Sequence, residues 1–172
     1  MAIRSDLWCG GAAFARAAPR LAGWRLVVAG EDRSGLLSGA ELKTDIAALG
    51  ERLTLVGHVD HAGATALFAR AEIAATPAIW REPFGRTTLE AMAAGCAIVS
   101  SGSGGSGEVL GDCGLIVESV TPTAIAAALI TLAGDDARRR ELQDRARRRA
   151  ALFDIRAASA RLDALRQELL AD

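Results

Sequence analysis

The sequence predicts an α/β protein built on a doubly wound parallel sheet of about five strands, followed by a helical tail. Short apolar runs alternate with helical patterns, which is typical of repeated βα units. The first three intervals between consecutive runs have the length that a right-handed βαβ crossover needs. The chain has 172 residues, 51% of them hydrophobic, which is enough for one core. We therefore expect a single domain over residues 1–172.

Five short apolar runs are the predicted buried strands. They are continuous rather than alternating in polarity, as expected for strands covered by helices on both faces. Their bounds are residues 26–29, 53–56, 73–76, 97–100 and 115–117.

Helical patterns separate these runs, and three further helices are predicted after the last strand. Between the strands the patterns cover about residues 40–49, 64–71 and 86–94, and a further pattern over residues 12–18 precedes the first strand. In the tail, Thr121 is a candidate N-cap, and Gly134 should end the first helix after Ala133. A second helix is predicted over residues 136–151, and a third over residues 155–170 with Asp154 as its N-cap.

Composition excludes several classes of function. The 24% charged residues nearly cancel to a net charge of −1, so no overall field recruits nucleic acid. Three widely spaced cysteines without a C-x-x-C pair favour reduced thiols over a disulfide framework. No apolar run is long enough to cross a membrane and no signal peptide is evident, so we expect a cytoplasmic protein with at most peripheral membrane contact.

The most informative segment is residues 81–95. Pro83 and Gly85 form a stiff turn that leads directly into a helix, whose first amides point back at the carboxyl edge of the sheet. Such amides, together with the positive end of the helix dipole, hold a phosphate without any lysine. This turn is therefore a predicted anion site.

Two carboxylates flank this turn. Glu82 precedes it, and Glu90 lies about one and a half turns into the helix. A carboxylate accepts hydrogen bonds from a pair of hydroxyls, so the arrangement suits a ligand with phosphates in the middle and sugars at both ends.

From Glu82 to Glu90 the segment forms an E-x7-E element that resembles that of family 4 glycosyltransferases with the GT-B fold. The resemblance covers about residues 24–156 and includes several further stretches in the family's order: the sequence Ala-Met-Ala-Ala-Gly at 91–95, residues 97–101, Gly104-Gly105, Glu108-Val109, residues 114–117 and the arginine-rich helix after Gly134. It implies the Rossmann-like C-terminal domain of such an enzyme. The domain would bind a nucleotide diphosphate sugar, and the enzyme would transfer the sugar with retention, using no cofactor and no metal ion.

The resemblance also implies roles for individual residues. Glu82 would be the catalytic residue, contacting the transferred sugar together with the backbone of Phe84 and Gly85. Glu90 would hold the ribose hydroxyls, and the Val59 backbone would read the edge of the base. The amides of Arg86 and Thr87 would hold the distal phosphate.

The sequence departs from the family pattern at its beginning. A strand ending in Gly-Arg or Gly-Lys, followed by a second basic residue that clamps the phosphates, is not evident before the first helix. Loss of that central strand would leave a hole or pair Leu26–Ala29 directly with Ile73–Thr76, unless residues 2–9 supply a substitute. The acceptor-binding domain is also not recognisable, so we expect a fragment or a chain that works with a separate N-terminal domain or subunit.

Two alternatives to a transferase stay open, and a third is disfavoured. One is a binding-only or inactive subunit; the other is a cofactor-free nucleotide-sugar epimerase, which the scarcity of histidine disfavours. The third alternative, a nicotinamide-dependent oxidoreductase, would need a dinucleotide-binding G-x-G-x-x-G fingerprint. Residues 102–107 match that pattern, but they stand too close to the next strand for a crossover helix. We interpret them as a flexible loop near the donor rather than a dinucleotide-binding fingerprint.

Two other clusters receive plain interpretations. His58 and His61 have an H-x-x-H spacing without a third ligand nearby, so no metal site is expected. The arginines between Arg138 and Arg149 are interrupted by acidic residues and are expected to form a solvated helix face.

Overall fold

The computed structural model of the chain describes residues 2–4, 7–30 and 47–171. It contains one parallel sheet of six strands in the order β3-β2-β1-β4-β5-β6. The strands are β1 Ala2–Arg4, β2 Leu26–Ala29, β3 Leu53–Gly57, β4 Ile73–Thr76, β5 Ala97–Ser100 and β6 Gly114–Ile116. This is the strand order of the doubly wound folds, which confirms the predicted fold class.

Seven α-helices of the described residues connect or follow these strands. They are α1 Leu7–Ala17, α2 His61–Ala69, α3 Arg86–Ala94, α4 Gly105–Leu110, α5 Pro122–Gly134, α6 Asp136–Ala150 and α7 Ile155–Ala171. Short 3-10 turns cover Ala18–Arg20, Gly50–Arg52 and Ala151–Phe153. Most of the helix predicted over residues 40–49 lies outside the described residues.

The expectation that the first strand is missing is wrong. Residues 2–4 form β1, which lies between β2 and β4: Ile3 stands opposite Val28 on one side and Ala75 on the other. Neither a hole nor a direct pairing of β2 with β4 forms, and the sheet gains a sixth strand. Three residues are too few to show a periodicity. What indicates this strand is that the buried strands β2 and β4 both need hydrogen-bond partners for their backbone groups.

Helix ends follow the predicted caps. The Thr121 hydroxyl accepts a hydrogen bond from the Ala124 amide at 3.3 Å, and Asp154 Oδ1 accepts one from the Arg156 amide at 2.9 Å. Gly95 ends α3 in the left-handed region with φ 88°. The predicted bounds of α3 match the structure, and those of α5 and α6 agree to within one residue.

Two clusters of buried apolar side chains make the core. One contains Phe14 of α1, Leu26 of β2 and Leu129 of α5. The other contains Met92 of α3 and Ile98 of β5. Helices on both faces of the sheet thus leave the carboxyl ends of the strands as the edge where connecting loops gather.

The expectation of a solvated arginine face on α6 is wrong for several of its arginines. Arg139 is only 6% exposed, and its Nε donates to Glu72 Oε2 at 2.8 Å. Arg145 pairs with Asp112, and Arg149 Nε donates to the Val109 carbonyl at 2.7 Å. These arginines lie beside the inward-facing Leu142, Ala146 and Ala150 on the same face of α6, so they anchor neighbouring loops rather than meeting solvent.

Candidate functional site

The predicted anion site lies at the carboxyl edge of the sheet. In a sheet of this order the direction of winding reverses between β1 and β4, and ligands bind in the crevice at that point. The loop after β4 carries Glu82 to Gly85, and the loop after β5 carries residues 101–104. Both loops therefore belong to the edge where a ligand is expected.

The start of α3 is shaped by Gly85. This residue is the N-cap of α3 and has φ 87°, a left-handed conformation that glycine adopts without strain. A β-carbon at Gly85 would lie 2.6 Å from Ser106 Cα, so the turn also needs glycine for space. The amides of Arg86 and Thr87, in the first turn, have no acceptor within the helix and carry the positive end of its dipole.

A buried hydroxyl pair fixes this helix end to the sheet. The hydroxyls of Thr88 in α3 and Thr76 at the end of β4 are 3.0 Å apart, and both residues are buried. The Ser100 hydroxyl donates to the Thr76 carbonyl at 3.4 Å and accepts from the Gly102 amide at 3.1 Å. The ends of β4 and β5 and the first turn of α3 therefore form one connected polar network.

Glu82 lies against the glycines that follow β5. It forms a parallel bridge with Gly104, and its carbonyl accepts a hydrogen bond from the Gly105 amide at 2.8 Å. Glu82 is partly buried and lines an open cleft of about 540 Å³. The cleft is lined by Arg81, Glu82, Pro83, Gly102, Gly104, Gly105 and Glu108.

The interpretation of residues 102–107 as a flexible loop is wrong for residues 105–107, which are helical, whereas residues 102–104 lie outside any helix. Gly105–Leu110 forms α4, a short helix that completes the crossover from β5 to β6. A β-carbon at Gly105 would lie 2.7 Å from Phe84 Cα, and one at Gly104 would collide with the Glu82 carbonyl. The glycines therefore allow two backbone segments to pack together at the site, and the spacing argument wrongly excluded a helix here.

Glu90 lies below the anion site, with a side chain 18% exposed. Its Oε1 is 3.5 Å from Arg86 Nη2, one turn earlier in α3, and 3.5 Å from His61 Nδ1 at the start of α2. Both distances are long for hydrogen bonds, and the Arg86 and His61 side chains are 79% and 71% exposed. Contacts of a carboxylate with such exposed side chains are weak.

Val59 lies in the loop between β3 and α2 and is half-buried. The neighbouring Asp60 caps α2 by accepting a hydrogen bond from the Gly63 amide at 2.7 Å. His61 follows, and its contact with Glu90 brings this loop beside α3. The structure thus gathers the predicted residues into two groups: Glu82, Phe84 and Gly85 pack beside α4, whereas Glu90 lies with the Val59 loop.

Sequence reasoning missed three features of this edge. The H-x-x-H spacing relates His61 only to a metal site, although this residue is a neighbour of Glu90. Ser101 Oγ is buried and has no hydrogen-bond partner among the described residues. Phe153 makes an edge-to-face contact with Phe84, at a centroid distance of 6.1 Å. All three depend on contacts between distant segments, which leave no local pattern.

The described part of the chain contains neither a cluster of metal-ligand side chains nor a membrane-spanning helix. Within residues 2–4, 7–30 and 47–171, no three His, Cys, Asp or Glu side chains are close enough together to hold a metal ion. In the same residues, no helix combines the length and the apolar character required to cross a membrane.

Comparison with known sequences finds glycosyltransferases. The chain is 34% identical over 124 residues to a phosphatidyl-myo-inositol mannosyltransferase of Mycolicibacterium smegmatis, which covers 71% of this chain and 32% of the relative. It is 40% identical over 84 residues to a glycogen synthase of Mycobacterium tuberculosis, covering 48% of this chain and 20% of the relative. The chain thus spans about a third or less of the curated relatives it matches.

Solved structures of the same fold cover nearly the whole chain. A sucrose-phosphate synthase of Thermosynechococcus elongatus superposes with a TM-score of 0.73 at 27% identity, over 99% of this chain and 45% of that one. The C-terminal domain of a group 1 glycosyltransferase of Francisella tularensis, LpcC, gives 0.72 at 26% identity over 88% and 84%. Anabaena HepE, solved with UDP-glucose, gives 0.75 at 19% identity over 97% and 48%, a likeness of fold alone.

A family profile provides the most direct assignment. The profile described as "Glycosyl transferases group 1" matches residues 9–135, which include β2 to β6 and every residue of the candidate site. With the fold and the relatives in agreement, the chain belongs to the group 1 glycosyltransferase family.

Proposed function

We propose that this chain is the donor-binding half of a retaining glycosyltransferase. It would bind a nucleotide diphosphate sugar at the carboxyl edge of the sheet and present the anomeric carbon to an acceptor held by another domain or subunit. The observation that carries the proposal, in a chain of this family, is the order of groups around the start of α3: Glu82 precedes the helix, Gly85 caps it, and Glu90 lies about one turn further along it. That order matches the order of sugar, diphosphate and ribose in such a donor.

The diphosphate would bind at the start of α3. The amides of Arg86 and Thr87 would donate to its distal phosphate, and the helix dipole would favour the negative charge. These groups are already oriented, because Gly85 sets the turn and the Thr76–Thr88 hydroxyl pair anchors the helix. They would stabilise the charge that develops on the departing diphosphate without a metal ion.

The nucleoside would lie toward α2. Glu90 would accept hydrogen bonds from the two ribose hydroxyls, replacing its weak contacts with Arg86 and His61. The Val59 backbone would read the edge of the base, since the Val59 loop reaches α3 through His61. Because that contact is made by backbone, the identity of the base stays open.

The sugar would lie against Glu82 and the backbone of Phe84 and Gly85. In the transfer, the bond from the anomeric carbon to the diphosphate oxygen breaks, and a bond to the acceptor oxygen forms on the same face. The proton of the acceptor hydroxyl leaves with the diphosphate. Glu82 would orient the sugar and favour positive charge on its ring as the leaving group departs.

The names of the relatives support a sugar donor but differ in the sugar and the acceptor. HepE binds UDP-glucose, one of the relatives is a mannosyltransferase, and another is a glycogen synthase. The acceptor of this chain, whether glycan, lipid or another molecule, would be bound by a separate N-terminal domain or subunit. A nucleotide sugar would be the substrate, and no cofactor is proposed.

Calorimetric titration of the folded chain tests the proposal. The ligands are UDP, GDP and ADP with their sugar conjugates, after circular dichroism has verified the fold. We expect saturable binding of one base and tighter binding of its sugar conjugate. A well-folded chain that binds none of them would contradict the proposed function.

A second assay distinguishes the alternatives. The chain is incubated with its preferred donor, with and without simple sugar and lipid acceptors, and the products are separated. Transfer or release of the sugar indicates an active enzyme, and a change in the sugar's configuration within the intact donor indicates an epimerase. An unchanged donor that nevertheless binds indicates a binding-only subunit.

A further inference from the structure

We propose that Phe153, in the turn between α6 and α7, is a positioning residue that holds the sugar-contacting loop at Phe84. The inference rests on the proposed function, because it assigns to a distant aromatic residue the task of shaping the sugar end of the donor site. It is carried by a closed circuit of contacts that runs from Phe84 to Phe153, on to Arg149, and back to Phe84 through α4.

The Phe84 ring contacts the turn that precedes α7. It is 44% exposed, and it meets the edge of the Phe153 ring at a centroid distance of 6.1 Å and an interplanar angle of 77°. Phe84 does not line the cleft to which Glu82 contributes. In the proposed function the Phe84 backbone contacts the sugar, whereas its ring contacts Phe153.

Phe153 is in turn fixed by α6. It packs against the apolar cluster around Met92, and the guanidinium carbon of Arg149 lies 5.9 Å from its ring centroid. Arg149 donates to the carbonyls of Glu108 and Val109 at 2.6 and 2.7 Å, near the end of α4. A cation placed over a ring and held by two carbonyls restricts the position of that ring.

The other end of α4 returns to Phe84. Gly105 packs so closely on the loop that a β-carbon would lie 2.7 Å from Phe84 Cα, and the Gly105 amide donates to the Glu82 carbonyl. The circuit of contacts is therefore complete. The start of α4 holds the backbone of the loop, and the end of α4 holds the Phe84 side chain through Arg149 and Phe153.

This geometry separates the two ends of the donor. The phosphate and ribose groups would lie at the start of α3 and at Glu90, where the Thr76–Thr88 hydroxyl pair anchors the helix, whereas Phe153 packs against the apolar cluster around Met92 in the later part of α3. The sugar end depends on where Phe84 is held. Loss of the Phe153 ring should therefore weaken binding of the sugar moiety and leave binding of the nucleotide largely unchanged.

Calorimetry on the full chain tests this with Phe153→Leu. The readout is the ratio of the dissociation constant of the preferred free nucleotide diphosphate to that of its sugar conjugate. We expect the ratio to fall by roughly two- to tenfold, the range that corresponds to the energy of one aromatic pair. Phe153→Tyr keeps the ring and should restore the ratio.

Trp24→Leu is the matched control. Trp24 is also half-buried and lies under an arginine of α6, with Arg139 at 5.2 Å from its ring, but it precedes β2 at the opposite edge of the sheet. Its loss should lower the melting temperature and leave the ratio unchanged.

The outcomes separate this inference from the function on which it rests. If the wild-type chain binds no nucleotide, the proposed function fails and this inference fails with it. If the wild type prefers the sugar conjugate and Phe153→Leu keeps that preference, the inference alone is overturned. Equal weakening of both ligands by Phe153→Leu would also overturn it, since a merely structural role predicts that result.

Discussion

At the scale of single residues, Glu90 is the position on which nucleotide binding should depend most. Its carboxylate is largely buried, and its contacts with Arg86 and His61 are long and involve exposed side chains. Two ribose hydroxyls would replace these weak contacts with two charge-assisted hydrogen bonds.

We predict that Glu90→Ala abolishes measurable nucleotide binding while the chain stays folded. Hydrogen bonds to a charged group contribute about 1.5–3 kcal/mol each, so losing two weakens binding by roughly a hundredfold or more. Calorimetry and circular dichroism measure the two effects. Glu51→Ala, an exposed carboxylate before β3 at the other edge of the sheet, is the control. Unchanged affinity in Glu90→Ala would refute the site assignment.

Cys96 provides a pH-dependent contribution to stability. Its thiol is fully buried and contacts the Phe68 and Ala71 carbonyls at 3.3 Å. Burial raises the pKa of this thiol from 9.0 to about 12. Because the folded pKa is the higher one, the contribution is complete below about pH 9 and is lost as the pH rises toward 12.

We predict that alkaline unfolding between pH 9 and 12 depends on Cys96. In this range the free energy of unfolding should fall by up to about 1.4 kcal/mol per pH unit for this one group. The sequence has no tyrosine, so few other groups titrate there. Denaturant titrations at several pH values are the measurement, and Cys96→Ala should flatten the slope. An equal slope in the two chains would contradict the prediction.

At the scale of elements, α6 is held to the sheet by Arg139. This side chain donates to Glu72 at 2.8 Å and to the Leu132 carbonyl at 3.0 Å, and it pairs with Asp136 at 2.8 Å. It also lies over the Trp24 ring. One arginine thus connects α6 with the end of α5, the start of β4 and the segment before β2.

We predict that Arg139→Met destabilises the chain by about 1–3 kcal/mol, because buried hydrogen-bonding groups lose their partner. The value stays moderate since the Glu72 and Asp136 side chains are 60% and 65% exposed and can be hydrated. Arg138→Met, exposed on the same helix, should change stability by less than about 0.5 kcal/mol. Urea titration distinguishes the two variants, and equal effects would show that α6 does not depend on Arg139.

The accuracy of the sequence predictions also differs between elements. Strands β2, β4 and β5 and helix α3 have the predicted bounds, because each is a continuous apolar run or ends at a cap or a glycine. In contrast, the sequence does not predict α4, and it offers β1 only as an alternative, a substitute strand within residues 2–9. One has three residues and the other has six, so neither shows a full hydrophobic period. Both are stabilised by neighbours that are distant in the chain.

At the scale of the whole molecule, the candidate site joins elements that pack on one sheet edge, so a ligand bound there should stabilise the entire fold. A ligand that binds only the folded state contributes about 2.7 kcal/mol at one hundred times its dissociation constant. This stabilisation by ligand should be small or absent in a variant that no longer binds the ligand.

We predict that the preferred nucleotide sugar raises the melting temperature of the chain by several degrees at saturation, since a domain of this size shifts by about 2–4 °C per kcal/mol. Differential scanning fluorimetry measures the shift. Glu90→Ala should show none, whereas Arg139→Met should start from a lower temperature and show the same shift. A shift retained in Glu90→Ala would indicate that the ligand binds elsewhere.

The sequence by itself determined the α/β class, most strands, the helix caps and the local geometry of the candidate site. The turn at Gly85 and the position of Glu90 in α3 follow from dihedral preference and helical period, which act over a few residues. Only the tertiary structure decided that residues 2–4 complete the sheet, that the α6 arginines anchor loops and that Phe84 meets Phe153. These features join segments far apart in the chain, where burial and unmet backbone partners select the contact and no local pattern encodes it.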